Sequence, residues 1–202
     1  LANMQTQLTL SFLNAINLEM PLTSRMRRSL ASAGNVVFIN NNTSMRDVVD
    51  CLTNYRKRTE YIKKVPKELK EYLEDDIYNL KDIDEYDKNG VVVDSKTSKV
   101  EFVMDRINLL MEDIKLKIMF NKKMDDNIDF VKKMDEGKVI LIKIPENRYP
   151  TTTHKNILAT FFVSKIWLAC QLRGGVQNKL LRCHVIFDEI FQAPTAECLL
   201  NN

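Results

Sequence analysis

The stretch RCHVIFDEIFQAP, residues 182–194, decides how this chain is read. Three apolar residues, Val185, Ile186 and Phe187, follow His184 and run straight into Asp188 and Glu189. A short apolar run of this kind predicts a strand buried on both faces, as in parallel sheets. Two adjacent carboxylates at its end are costly unless something uses their charge. A hydrated divalent cation and an attacking water would use it.

The flanking sequence extends the pattern. GKVILIKIPE, from Gly137, reads as a second buried strand closed by Pro145. Between the two runs, TTTHKNILATFFVSKIWLACQLRGG predicts a capped amphipathic helix with Ile157, Leu158, Phe161, Phe162, Leu168, Ala169 and Leu172 inward, stopping at Gly174 and Gly175. Strand, helix and strand with short joints predict a βαβ unit and a parallel sheet. The expected fold class is therefore α/β: a partial parallel-sheet core over residues 135–202, preceded by a mainly helical domain over 44–134 and a flank over 1–43.

The first two thirds carry helical signals. A short helix is expected from Leu22 to Ala33 with Gly34 just past its end, then a strand in NVVFIN, residues 35–40. Ser44 followed by Asp47 is close to a capping box and opens a helix through Met45, Val48, Val49, Leu52, Tyr55 and Ile62. Pro66 precedes another helix, with Leu69, Tyr72, Leu73, Ile77 and Leu80. A long helix is expected from Ser98 to Asn121, and a short one in NIDFVKKM. KDIDEYDKNG reads as a solvated loop. Its acids lack the ligand spacing and terminal Glu of a calcium loop.

With 45% hydrophobic and 28% charged residues, the composition suits a globular chain rather than a disordered one. The net charge of +3 argues for no partner, but its distribution is uneven. Residues 1–70 carry 11 Lys and Arg against 5 Asp and Glu, whereas residues 71–90 carry 2 against 8. Cys51, Cys170, Cys183 and Cys198 form no C-x-x-C pair, and His154 and His184 fall at no ligand spacing. A zinc site is not expected, and the cysteines read as small hydrophobes in a reducing compartment. No stretch approaches the roughly 18 consecutive apolar residues of a membrane span, so no membrane contact is expected of this segment. The sequence starts at Leu1 rather than Met and stops at Asn202 soon after the acidic motif, so it reads as part of a longer protein.

The run DEGKVILIKIPE…ILATFFVSKIWLACQLRG…HVIFDEIFQAP resembles the HerA/FtsK-like P-loop ATPases, and looks most like the TraG-like coupling ATPases of conjugation and type IV secretion. The resemblance is good over residues 135–197 and loose over 1–134. It implies a RecA-like parallel-sheet core with a helical insertion, in a cytoplasmic ring motor, hexameric in the family, that uses ATP and Mg2+ to translocate DNA. Placement at the inner face of the membrane, with secretion or mobilisation partners, goes with it. HVIFDE would be the Walker B strand: Asp188 would bind Mg2+ and the nucleotide, and Glu189 would orient and polarise the attacking water. Gln192 would face the γ-phosphate side, or serve a loop or cap.

One part of the family pattern is missing. No G-x-x-x-x-G-K-[ST] phosphate loop occurs in the sequence. Either it lies upstream of Leu1 or this is a degenerate copy. For DNA, Arg25, Arg27 and Arg28, then Arg56, Lys57 and Arg58, are the cation clusters that would meet phosphates. A solvated helix surface, or ion pairs with the acidic stretch, would produce the same sequence. Two other readings stay open. One is a non-enzymatic helical interaction domain in which Asp188 and Glu189 cap a helix N-terminus. The other is a metal-dependent phosphodiesterase, which would need further carboxylates in the same crevice.

Overall fold

A computed structural model describes residues 2–16, 21–123, 127–174 and 182–192. The expectation of a parallel-sheet α/β core is not met: the described residues are mostly helical and their only sheet is one antiparallel hairpin. The chain forms two compact units. The first is Leu1–Leu13 with Leu22–Asn127, and the second is Asn14–Pro21 with Ile128–Asn202.

In the first unit, α1 (Ala2–Ala15) buries Thr6, Leu10 and Leu13 at helical spacing. Helix α2 (Ser24–Val37) starts at Thr23, whose hydroxyl accepts from the Met26 amide. It does not stop at Gly34, and the expected strand 35–40 is absent. Val36 and Val37 instead continue the helix and are fully buried. Gly34 is there for space: a Cβ on it would lie 2.9 Å from Oγ1 and Cγ2 of Thr6. The chain keeps helical hydrogen bonding through Gly34 so that α1 can approach it, and tertiary packing overrides the local stop signal.

The single helix expected after Ser44 is two. Helix α3 (Met45–Thr53) starts where the Asp47 carboxylate takes both the amide and the hydroxyl of Ser44, each at 2.8 Å. At Asn54 the backbone is extended, and its side chain accepts from the amides of Arg56 and Lys57, which opens α4 (Tyr55–Lys64). A polar residue that can satisfy two orphan amides ends one helix and starts the next. Beyond Pro66 come the short α5 (Lys67–Lys70) and α6 (Glu74–Lys81), the latter anchored by fully buried Leu80. On α6, Asp76 accepts from Ser32 at 2.8 Å and Asn35 at 2.9 Å, both on α2.

The stretch expected to be a loop, residues 81–90, contains β1 (Asp84–Tyr86) and the turn that leads to β2 (Val92–Ser95), and the two strands pair antiparallel. Asp87 closes the turn by accepting from the amides of Asn89 and Val91, both at 2.8 Å, and Gly90 takes φ +77. Helices α7 (Glu101–Met111) and α8 (Ile114–Phe120) replace the expected long helix. Asp113 caps α8 by accepting from Lys115 and Leu116. The break rotates the buried face: Leu116 and Phe120 turn inward, while Ile114 and Ile118 are exposed.

The second unit holds α9 (Phe130–Asp135), capped by Asp129, and the expected long helix α10 (Thr152–Gly174). By length and composition α10 could cross a membrane, contrary to the expectation that no segment could, although half of its most apolar window is buried. Phe130, Met134 and Ala169 form one core cluster, joined by Ile140, Phe162, Ile166 and Cys170. The runs expected to be parallel strands form neither helix nor strand and join no ladder among the described residues. Val139 and Leu141 are 86% and 91% exposed and Ile186 93%. Ile144 and Phe187 lie against Ala159 and Val163 of α10.

Candidate functional site

Asp188 and Glu189 both lie on the surface, in the turn between the apolar run ending at Phe187 and the short 3-10 turn Ile190–Gln192. Among the described residues no sheet edge carries them, and Phe187, just before Asp188, lies against α10. Glu189 has φ +56, the left-handed region that costs a side-chain-bearing residue about 1 kcal/mol. Such outliers gather at functional sites. Asn42, at φ +55, is the other described non-glycine residue there, and asparagine tolerates it. The backbone of Gln192 closes the 3-10 turn.

Among the described residues no three His, Cys, Asp or Glu side chains gather to hold a metal. A single exposed carboxylate still suits Mg2+, which keeps most of its waters and binds through one or two carboxylates plus nucleotide phosphates. The phosphate-cradling half of a nucleotide site has no counterpart in the sequence.

The basic residues divide. Arg25, Arg27 and Arg28 are exposed on α2, and Arg56 and Lys57 on α4. Arg56 donates to the Tyr55 hydroxyl at 3.1 Å and Lys57 pairs with Glu60 at 3.3 Å. The hydrogen bonds from Lys64 and Lys57 hold the Glu60 carboxyl below its usual range. Arg58 is fully buried and is removed from the DNA-contact set.

Sequence spacing gave no sign of what Arg58 does. Its Nε donates to Asp84 at 2.8 Å, and its Nη1 donates to the carbonyls of Cys51 and Leu52 at 2.9 and 3.1 Å. Its Nη2 reaches Asp84 and Ser95, the latter at 2.9 Å. One guanidinium thus caps the C-terminus of α3 and fastens both hairpin strands to α4. Burial pushes the neighbouring Cys51 thiol up to about 12 against the opposing pull of Arg58, so this cysteine is inert at neutral pH.

Beside it lies a second polar node. Tyr61 donates to Asp47. Burial works to raise the Asp47 pKa, but the hydrogen bonds from Tyr61 and Ser44 outweigh it and hold the carboxyl below its usual range. Tyr61 moves the other way, raised by burial and by that same carboxylate.

No protein-family model matches the chain, and neither a curated protein nor a solved structure does.

Proposed function

We propose that this chain supplies the acidic half of a nucleotide-hydrolysing motor that translocates DNA. The observation that carries the reading is Asp188 followed by Glu189 in a left-handed turn, at the end of an apolar run whose last residue, Phe187, packs on α10. The resemblance of residues 135–197 to TraG-like coupling ATPases supports it; the helical fold does not contribute. Bound Mg2+ would supply charge neutralisation for the transferred phosphoryl group. Asp188 would hold the hydrated ion, and Glu189 would accept a hydrogen bond from the attacking water and take its proton. Exposed Arg25, Arg27, Arg28, Arg56 and Lys57 are the cations that would meet DNA phosphates.

The test is Glu189→Gln in the motor that contains this sequence. Hydrolysis is expected to fall by roughly two orders of magnitude or more, the scale of a lost general base, while ATP affinity changes by less than threefold. Hydrolysis at the full rate would refute the assignment. The 202-residue chain alone is expected to hydrolyse nothing, because it contains no phosphate loop.

A helical interaction module is the second reading, favoured by exposed apolar residues at helical spacing: Phe102 and Leu109 on α7, Ile114 and Ile118 on α8. It predicts that Glu189→Gln changes no activity while Ile114→Asp with Ile118→Asp abolishes partner binding.

A further inference from the structure

The exposed residues of α7 and of its cap are Glu101, Phe102, Asp105, Asn108, Leu109 and Glu112. At about 100° per residue they fall within one arc of roughly 120°. The opposite arc holds buried Val103, Ile107 and Leu110. Every exposed charge on α7 is acidic, because its one cation, Arg106, is buried. On α8 the exposed residues are Ile114, Lys115, Lys117 and Ile118, opposite buried Leu116 and Phe120. Here every exposed charge is basic, and exposed Lys122 and Lys123 continue the sign. Both helices belong to the first unit. Phe102 and Leu109 on one, and Ile114 and Ile118 on the other, are between 45% and 69% exposed and stand among charges of opposite sign. Glu101, Asp105, Glu112 and Lys117 enter no ion pair among the described residues.

We propose that these two faces form the interface of a two-fold homodimer, in which α7 of one copy lies on α8 of the other. The inference rests on the interaction-module reading and names its partner as a second copy of this chain. A face of one charge sign is repelled by its own image, so neither helix pairs with itself. Setting α7 against α8 instead places acids over lysines. A two-fold operation makes that contact twice, because the patch that each copy offers is the patch that it receives. Burial of Phe102, Leu109, Ile114 and Ile118 supplies the non-directional attraction. The charges select the partner and the register more than the strength. Nucleic acid is a poor occupant, because the acids of α7 would face its phosphates. Ten exposed side chains per copy fall short of the roughly 20–30 residues a side of a standard interface, so the dimer is weak and reversible.

The experiment is sedimentation equilibrium of the purified 202-residue chain, in dithiothreitol so that its cysteines link no copies. A reversible monomer–dimer equilibrium is expected at about 10–100 μM, weakened roughly tenfold between about 20 mM and about 500 mM NaCl as the exposed charges are screened. One variant reverses the α7 face with Glu101→Lys, Asp105→Lys and Glu112→Lys. A second reverses the α8 face with Lys115→Glu and Lys117→Glu. Each alone presents one sign on both helices and is expected to stay monomeric. An equimolar mixture sets opposite signs together in both contacts and is expected to restore a one-to-one dimer, which also shows that both variants fold. A parent chain that stays monomeric at about 1 mM, a mixture that recovers no dimer, or assembly that continues past two copies would each overturn the proposal. A monomeric parent leaves the interaction-module reading to its own test against a different protein. A dimer that survives Ile114→Asp with Ile118→Asp removes this surface from both readings.

Discussion

Arg58→Met tests the interior of the first unit most sharply. Methionine keeps most of the stem volume but removes every donor, leaving the Asp84 carboxylate, itself only 5% exposed, as an uncompensated buried charge. The carbonyls of Cys51 and Leu52 lose their capping partner as well. Breaking one side of a buried ion pair costs about 3–5 kcal/mol. Orphaned carbonyls would add about 1–3 kcal/mol each, reduced by whatever water reaches them. A loss of about 4 kcal/mol is expected, or roughly 16 °C in Tm at about 4 °C per kcal/mol for a unit of this size. Urea unfolding followed by circular dichroism at 222 nm measures it. Arg58→Met combined with Asp84→Leu should recover at least half of the loss, because the buried charge is then gone. A single-variant cost below about 1 kcal/mol, or a double variant no better than the single one, would refute the claim that the pair closes the charge balance of this core.

The Tyr61–Asp47 contact carries a pH signature. The Asp47 pKa is lowered on folding, so its contribution is present above the unfolded carboxyl value and is lost as pH falls through the folded one. The Tyr61 pKa is raised, so its contribution is complete below about 10 and is lost as pH climbs through the folded value. Tyr61→Phe should cost about 1–2 kcal/mol at neutral pH, with the gap from the parent closing below pH 4. An unchanged gap at pH 2.5 in urea titrations would count against it. Gly34→Ala would gain up to about 1 kcal/mol on an isolated helix, but here the new methyl meets Thr6 and a net loss of about 1–3 kcal/mol is expected. Thr6→Ala should relieve it, and a stabilised Gly34→Ala chain would show that α1 does not pack where it is placed.

What the sequence revealed depended on how local the signal was. Helix α10 was readable end to end, because Thr151 and Gly174 bracket a long periodic run. The start at Ser44 was readable for the same reason, as a side chain meeting an amide a few residues away, whereas the Asp129 cap inside NIDFVKKM was not singled out. Runs such as Val139–Ile142 and Val185–Phe187 were not, because apolar, β-branched sequence predicts an extended backbone but not whether a ladder forms. Neither run is a strand, and no neighbouring strand pairs with either among the described residues. Gly34 misled because a glycine that ends a helix and one that admits a neighbouring helix look alike in one dimension. The hairpin was hidden by its acidic, turn-rich composition. Its register is fixed by Arg58, at a separation of 26 residues from Asp84 and 37 from Ser95, which no window of local sequence spans. At the candidate site the acids could be named from sequence, but the left-handed backbone at Glu189 could not.

The two apolar runs also affect how the chain behaves in concentrated solution. Flat segments rich in Val, Ile and Leu with open backbone edges are templates for intermolecular pairing. Lys138 and Lys143 bracket one of them, and Arg182 and Asp188 bracket the other, all exposed. The like charges of Lys138 and Lys143 repel a second copy of the first run before its strands can align. Neutralising both lysines would therefore trade solubility for self-assembly, even in a chain that never meets a nucleotide.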